Sequence, residues 1–531
     1  MCQVHDEEGG QYYPELQDQQ PTVSPAQKCM KCKEGSAVLL IRAGDAFCRD
    51  CFKEYFIHKF RAMLGKNRLI YPGEKVLLAL SGGPASSSMV QQVQEGLSRA
   101  ASKKLRFAPG IVHVDEGAIL GQSLEVRKQT TSQMKSVLKS SGFPYHIVPL
   151  EEAFNLPGSV LKFNSPEPRK NYKEAVDGFI INQQSLNSTK DEEWTSLVQE
   201  RLDHLSTKDP EEPNRNDTLL HTTKDLPLSS MHTQTLINLF NSVSTLTAKE
   251  ELLHTLRTHL ILHTARTHGY AKVMVGDSCT RLAIKSMTNL SLGRGAFLAT
   301  DTGFSDDRHG DVVVVRPMRD YSLKEISYYN RMFGVQTVFI PALDTKASSK
   351  ASVHRLTEDF MTKLQADFPS TVSTVYRTSE KLTINPREAS SNTIPADQCL
   401  FCMCSLDTHF EEASAFHATL VSERFSQRPT PALSPAVEQC CMNPLEEAEH
   451  CGILSKSCGS SPRADVKSVF LKLLCYGCRL TVKDMTSLES LPPYILLQAE
   501  QRNHCISRSE MKKEIQEFLL SDDESSDPPQ T

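Results

Sequence analysis

"KVLLALSGGPASSSMV", residues 75–90, decides the first half of the fold and raises the functional question. An apolar, strand-like run ends at Ser81. Gly82, Gly83, Pro84 and Ala85 follow, then three serines that open a helix expected to begin near Ser86. Phosphate-binding loops are often built this way. Paired glycines let the backbone approach an anion, and the free N–H groups of the next helix hold it. Ser81 and Ser86 would add hydroxyl donors. An ordinary strand-to-helix turn fits the same spacing. No G-K-[ST] follows, so this is not a Walker A loop. The lysine and aspartate that such a loop uses for catalysis are missing.

Working outward, strands alternate with helices. "FAPGIVHVDEG" is a strand whose regular part starts at Ile111, residues 121–140 are helical by pattern, and "FPYHIVPL", 143–150, is the third strand. This alternation predicts an α/β fold with a mostly parallel sheet. Ligands on such sheets lie beyond the carboxyl ends of the strands. Both "SGG" and "DEG" fall there, which makes Ser81, Gly82, Gly83, Ser86 and Asp115 candidate ligand contacts. Residues 160–235 are polar and broken by proline, and read as a flexible insertion with one helix near 172–184. Order is expected to return near 236. There "LTAKEELLHTLRTHLILHTARTHGY" forms a long helix with an apolar face of Leu252, Leu253, Leu256, Leu260, Ile261 and Ala265. "KVMVGD" and "DVVVVRPM" are strands, each followed by a helix.

The remainder divides by composition. Residues 1–26 read as disordered, 27–69 as an N-terminal zinc module with a basic helix ending near Gly65, and 70–340 as the α/β domain. Residues 341–395 read as helical and then loose, 396–510 as a C-terminal cysteine-rich zinc module, and 511–531 as an acidic tail. A chain of 531 residues with net charge -5 does not suggest a protein coated in nucleic acid, and no DNA partner is expected, though a local basic patch is compatible with it. No apolar run reaches membrane-spanning length, and the polar start has no signal-peptide core. A cytosolic or nuclear location is the default.

Of sixteen cysteines, eight form four C-x2-C pairs. Without a secretory signal, this points to metal thiolates, not disulfides. Cys29, Cys32, Cys48 and Cys51 read C-x2-C-x15-C-x2-C, a closed tetrahedral set for structural zinc. Iron–sulfur ligation is chemically open to the same thiolates, but even pairing at this spacing favours zinc. Cys399, Cys402, Cys475 and Cys478 make a second such set across a 72-residue gap. Cys440, Cys441, Cys451 and Cys458 lie inside that gap, as a site of their own or a chance grouping. Cys279 reads as a small buried residue, with a reactive thiol as the alternative.

"LLALSGGPASSSM" resembles the S-G-G-x-D-S loop of PP-loop (adenine nucleotide alpha hydrolase-like) enzymes, which adenylate a substrate with ATP. "IVHVDEG" and "HTARTHGYAKVMVGDSCTRLAIKSM" resemble later parts of that core. Together with the N-terminal C-x2-C pairs and "RPMRDYSLKEISYYNR", they resemble the cytoplasmic tRNA 2-thiolation protein 2 family over almost the whole chain. The departures are specific. Ala85 stands where active relatives carry an aspartate. The segment matching their "GHNADD" is Gly276, Asp277, Ser278, Cys279, Thr280 and Arg281, so two acids that would help hold magnesium are gone. The C-x-x-C pair that precedes the long helix in active relatives is absent.

The resemblance therefore implies a degenerate PP-loop subunit, with Gly276 joining the candidate ligand contacts and ATP doubtful at its own loop. It implies a heterodimer with a catalytic, adenylating paralogue and 2-thiolation of the wobble uridine in tRNAs for lysine, glutamate and glutamine. Sulfur would arrive on a ubiquitin-like thiocarboxylate carrier. Two alternatives stand beside this: a zinc scaffold that never touches RNA, and an independent adenylating enzyme. Against the scaffold, Lys53, His58, Lys59, Arg61, Lys66 and Arg68 lie among aromatics beside the first zinc set, where they are expected to contact phosphates. A solvated helix face fits the same pattern.

Overall fold

The computed structural model describes residues 27–41, 45–98, 104–164, 171–186, 222–223, 230–382, 398–406 and 466–516. A hairpin of β1 (Leu39–Leu40) and β2 (Ala46–Phe47) leads into α1 (Arg49–Asn67). The helix does not stop at Gly65. It ends two residues further on, where Arg68 takes a left-handed conformation and its N–H bonds back to Leu64.

The central sheet contains β3 (Lys75–Ala79), β4 (Ala108–Asp115), β5 (Tyr145–Pro149), β6 (Thr222–Thr223), β7 (Lys272–Met274), β8 (Ser305–Asp306) and β9 (Val313–Val315). Its order is β6-β5-β4-β3-β7-β9-β8, parallel throughout except for the antiparallel edge strand β8. The central strands are short apolar runs such as "KVLLA" and "VVV", buried as expected where helices cover both faces. Connecting helices are α2 (Pro84–Leu97), α3 (Leu124–Ser140), α4 (Tyr172–Leu186), α5 (Ser230–Asn241), α6 (Leu246–Thr267), α7 (Cys279–Ser291), α8 (Leu298–Thr302) and α9 (Leu323–Phe333). Order returns at Ser230, earlier than the composition suggests. The C-terminal part adds α10 (Val353–Asp367), α11 (Thr371–Glu380), α12 (Val466–Lys472), α13 (Tyr476–Lys483) and α14 (Pro493–Gln516). Residues 371–380 are thus helical, not loose, because Val372 and Tyr376 bury against α7.

Side-chain caps fix several helix starts. Thr245 caps α6, Ser278 caps α7, and Ser322 forms a reciprocal capping box with Glu325 at α9. Two apolar clusters hold the extra parts to the sheet. Phe52, Phe56 and Phe60 of α1 pack with Met274, Val315, Tyr321 and Tyr329, and the Phe56 and Tyr329 rings stack at 3.9 Å. At the other end Leu400, Phe401, Leu474, Tyr494 and Ile495 pack on Leu252, Leu256 and Leu260 of α6. There the buried His259 donates through Nε2–H to Phe401 O at 2.8 Å, and its Nδ1 accepts from Tyr494 Oη at 2.6 Å. Burial holds its imidazole down at about 4, so it is neutral. Among the described residues no helix is long and apolar enough to cross a membrane.

Candidate metal centres and the glycine–serine loop

The four sulfurs of Cys29, Cys32, Cys48 and Cys51 lie within 4.8 Å of one another, as do those of Cys399, Cys402, Cys475 and Cys478. The two sites are built alike. Each first pair sits on a knuckle closed by a residue with positive φ four positions after the first cysteine: Lys33 (φ 61) and Met403 (φ 58). Lys33 N–H donates to Cys29 O at 2.8 Å, and Met403 N–H to Cys399 O at 3.0 Å. Each second pair starts a helix, with Cys48 as N-cap of α1 and Cys475 as N-cap of α13. A helix N-terminus favours thiolate over thiol. Four converging sulfurs with no open position suit structural zinc.

The second centre has neighbours that spacing did not reveal. Arg294 Nη2 donates to Cys478 Sγ at 3.6 Å, and Arg308 Nη1 donates to Cys404 Sγ at 2.8 Å. Arg294 also pairs with Glu251 of α6, which His354 of α10 bonds at 2.7 Å. Isolated arginines between helices leave no pattern in a sequence. Cys404 lies outside the set of four, and Cys440, Cys441, Cys451 and Cys458 lie outside the described residues. Cys279 is buried, and burial pushes its thiol up to about 11, so it is not poised as a nucleophile.

At the carboxyl end of the sheet the glycine–serine loop is present but closed on itself. Gly82 adopts φ +83, and α2 begins at Pro84 with Gly83 as N-cap, earlier than Ser86. The early start reflects proline's suitability for the first helical position. Ser81 Oγ and Ser86 Oγ are 3.0 Å apart, and Ser86 Oγ donates to Gly83 O at 3.1 Å. Gly276 packs against this turn: a Cβ there would lie 2.8 Å from Ser86 N and Cα.

Carboxylates at this end of the sheet are held by arginines. Asp115 accepts from Arg127 Nε at 2.8 Å and from Gly117 N–H at 2.9 Å, and Arg127 reaches on to Glu151 at 2.7 and 3.0 Å. Glu116 pairs with Arg257 of α6, Asp277 with Arg316 at 3.5 Å, and Asp301 and Asp306 with Arg308. Asp115 is therefore an ion-pair partner here, not a group free to meet a metal.

Of the cations expected to contact phosphate, Lys59 is turned to an internal carboxylate, while His58, Lys66 and Arg68 are exposed. Lys59 is 17% exposed and pairs with Glu325 at 2.7 Å, above the Tyr321 ring. Arg49 donates to Met332 O, Lys53 lies over Phe333, and Arg68 lies over Tyr172. The aromatics interleaved with these lysines serve the core.

Fold and centres together define a class: an α/β protein on a mostly parallel sheet, stapled by two four-cysteine centres, with a phosphate-loop-like turn whose neighbouring acids are neutralised internally. Residues 352–480 match the family model described as cytoplasmic tRNA 2-thiolation protein 2. The chain is 55% identical over 529 residues to the protein of that name from Xenopus tropicalis, covering 99% of each chain. It is 53% identical to the one from Danio rerio (99% of this chain, 100% of the relative) and 52% identical to the one from Homo sapiens (98% of each). The chain belongs to the cytoplasmic tRNA 2-thiolation protein 2 family. Among solved structures, the U34-tRNA thiolase NcsA from Methanococcus maripaludis with its 4Fe–4S cluster aligns over 68% of this chain and 87% of its own, at 15% identity and a TM-score of 0.42.

Proposed function

We propose that this chain is the non-catalytic subunit of a cytoplasmic complex that 2-thiolates the wobble uridine of tRNAs for lysine, glutamate and glutamine. Family membership at near-full length carries this reading. A catalytic paralogue activates the uridine with ATP, and sulfur comes from a ubiquitin-like thiocarboxylate carrier. This chain contributes a zinc-stapled body and part of the tRNA surface. Its core is a PP-loop fold in which Ser81, Gly82, Gly83, Ser86, Asp115 and Gly276 mark the old ligand end. Zinc is held by Cys29, Cys32, Cys48 and Cys51 and by Cys399, Cys402, Cys475 and Cys478. The units are residues 27–69, 70–340, 341–395 and 396–510. The absence of turnover is supported by Ala85, Thr280 and Arg281 and by the arginine partners of Asp115, Glu116 and Asp277.

The test is depletion of this chain in cells with its paralogue intact, followed by mass spectrometry of the wobble nucleoside. Loss of 2-thiolation, restored by the wild-type chain, is expected; persistence at wild-type level overturns the proposal. The scaffold reading has one observation in its favour, the internal pairing of Lys59. It predicts unchanged tRNA affinity of the complex when this chain's exposed cations are removed.

A further inference from the structure

A cavity of about 240 Å³ opens between α2, the last turn of α3 and the turn that follows α9. It shares no lining residue with either four-cysteine set or with the carboxylates at the carboxyl end of the sheet. Its apolar part is Leu80, Val90, Val137 and Val335, and its polar part is the carboxamides of Gln91, Gln94 and Gln336 with serine hydroxyls. No side chain that lines it is ionisable.

The hydroxyls are spent locally: Ser140 Oγ donates to Val137 O at 2.8 Å and Ser141 Oγ to Leu138 O at 2.6 Å. The carboxamides are not. Gln91 Nε2 donates to Glu95 at 3.2 Å and Gln94 Nε2 to Ser140 O at 3.4 Å, which leaves both amide oxygens without a donor among the described residues. Gln336 is exposed and makes no hydrogen bond, through side chain or main chain, among the described residues. The main chain beside the cavity is open as well. Val335 N–H donates to Asn330 O at 3.1 Å and Val338 N–H to Gly82 O at 3.0 Å, and Gln336 and Thr337 lie between them in no helix or strand.

The space holds about eight waters at ~30 Å³ each, so one side chain fills it. With no cation in the lining, a nucleotide or RNA phosphate finds no partner here. An ammonium or carboxylate would lose its water without being paired. A carboxamide sets a donor beside an acceptor, the complement of a peptide group. Main chain with open N–H and C=O groups takes an added peptide in the same way. Phe339, three residues beyond Gln336, is 85% exposed, and aromatic surface of this kind is what protein partners cover.

We propose that this groove binds an uncharged peptide segment of a protein partner. One apolar side chain of the segment enters over Leu80, Val90, Val137 and Val335. Its flanking peptide groups bond the carboxamides of Gln91 and Gln94 and the main chain at Gln336.

The experiment selects random dodecapeptides displayed on phage against the zinc-loaded full chain, then measures the selected sequences as end-capped synthetic peptides by fluorescence anisotropy. The selected peptides are expected to share one apolar residue flanked by uncharged ones. Ser140→Glu and Gln336→Glu each set a carboxylate at the rim. Both positions are exposed, so the melting temperature should not move, and each variant should weaken the peptides about tenfold. Gln336→Glu, which breaks no existing bond, keeps the test open if Ser140→Glu fails to fold. Failure to select any peptide, selected peptides dominated by acidic or basic residues, or unchanged affinity in both variants would each overturn the proposal. So would displacement of the peptides by adenosine, which would hand the groove to a nucleobase. The readout is direct binding, so failure here leaves the proposed function standing.

Discussion

Lys59→Met isolates the ion pair that ties α1 to α9. The ammonium lies 2.7 Å from Glu325 Oε1 and 3.1 Å from Tyr55 Oη, with side chains 17% and 3% exposed for Lys59 and Glu325. Breaking one side of a buried pair typically costs about 3–5 kcal/mol, because the other charge is left behind. The low end applies, about 3 kcal/mol, because Glu325 keeps the Ser322 N–H at 2.6 Å and hydroxyl at 2.9 Å. Charge reversal to glutamate adds repulsion of about 4 kcal/mol at an effective dielectric of 20 and 4 Å.

The assay is urea denaturation of the zinc-loaded chain, with Glu325→Gln closing a double-mutant cycle. The pH dependence supplies a second check. Burial raises the Glu325 carboxyl, but Lys59 outweighs it and holds it below its ordinary 4.5. Its contribution is therefore present above 4.5 and lost as pH falls through the folded value. For Lys59, burial pulls down and Glu325 outweighs it, so the ammonium stands above its ordinary 10.5. That contribution is full below 10.5 and lost as pH rises through the folded value. The difference between wild type and Lys59→Met should thus be flat across neutral pH and shrink on acidification below 4.5. A cost under about 0.5 kcal/mol, additive with Glu325→Gln, would refute the reasoning and return Lys59 to the surface.

Metal analysis of the purified, tag-free chain should find one zinc for each of the two four-cysteine sets, and Cys32→Ser and Cys478→Ser should each remove one while lowering solubility; full occupancy in either variant would contradict the ligand assignment. Ser86→Ala removes the contacts to Ser81 and Gly83, should cost about 1 kcal/mol of stability and should leave wobble thiolation by the complex nearly unchanged, which comparative nucleoside analysis would check. Gly276→Ala places a methyl 2.8 Å from backbone atoms of Ser86 and should destabilise by about 1–3 kcal/mol in thermal unfolding; a neutral result would mean that the α2 turn is free to move.

The sheet was legible because its strands are short apolar runs spaced by helical periods, and the thiolate sets were legible because metal ligands need fixed local spacing. Cys399, Cys402, Cys475 and Cys478 come together despite the long gap, since each pair forms its own knuckle or helix start before the two meet. Partner choice was not legible. "FKEYFIHKF" has the composition of a nucleic-acid contact, and only the fold shows Glu325 of α9 opposite Lys59. The helix at 371–380 was missed because its apolar residues are few, and its stability comes from packing on α7. Arg294 and Arg308 were missed as neighbours of the second centre because the thiols they meet, Cys478 and Cys404, lie far away in sequence.

The ion pairs at the carboxyl end of the sheet follow from one physical constraint. A carboxylate at the carboxyl edge of a parallel sheet needs a cation, whether metal or side chain. Asp115 satisfies it with Arg127, Glu116 with Arg257, and Asp277 with Arg316. Once arginines supply that charge, placing an aspartate at Ala85 does not make a metal site, since the nearby acids are already neutralised. It adds a carboxylate beside the closed turn of Ser81 and Ser86. Ala85→Asp should therefore lower stability and should not restore magnesium-dependent ATP binding. Equilibrium binding of Mg–ATP to the isolated chain measures this directly. Binding by the variant that matched a competent nucleotide loop would show that the arginines yield their carboxylates to a metal, and the argument from neutralised acids would fail.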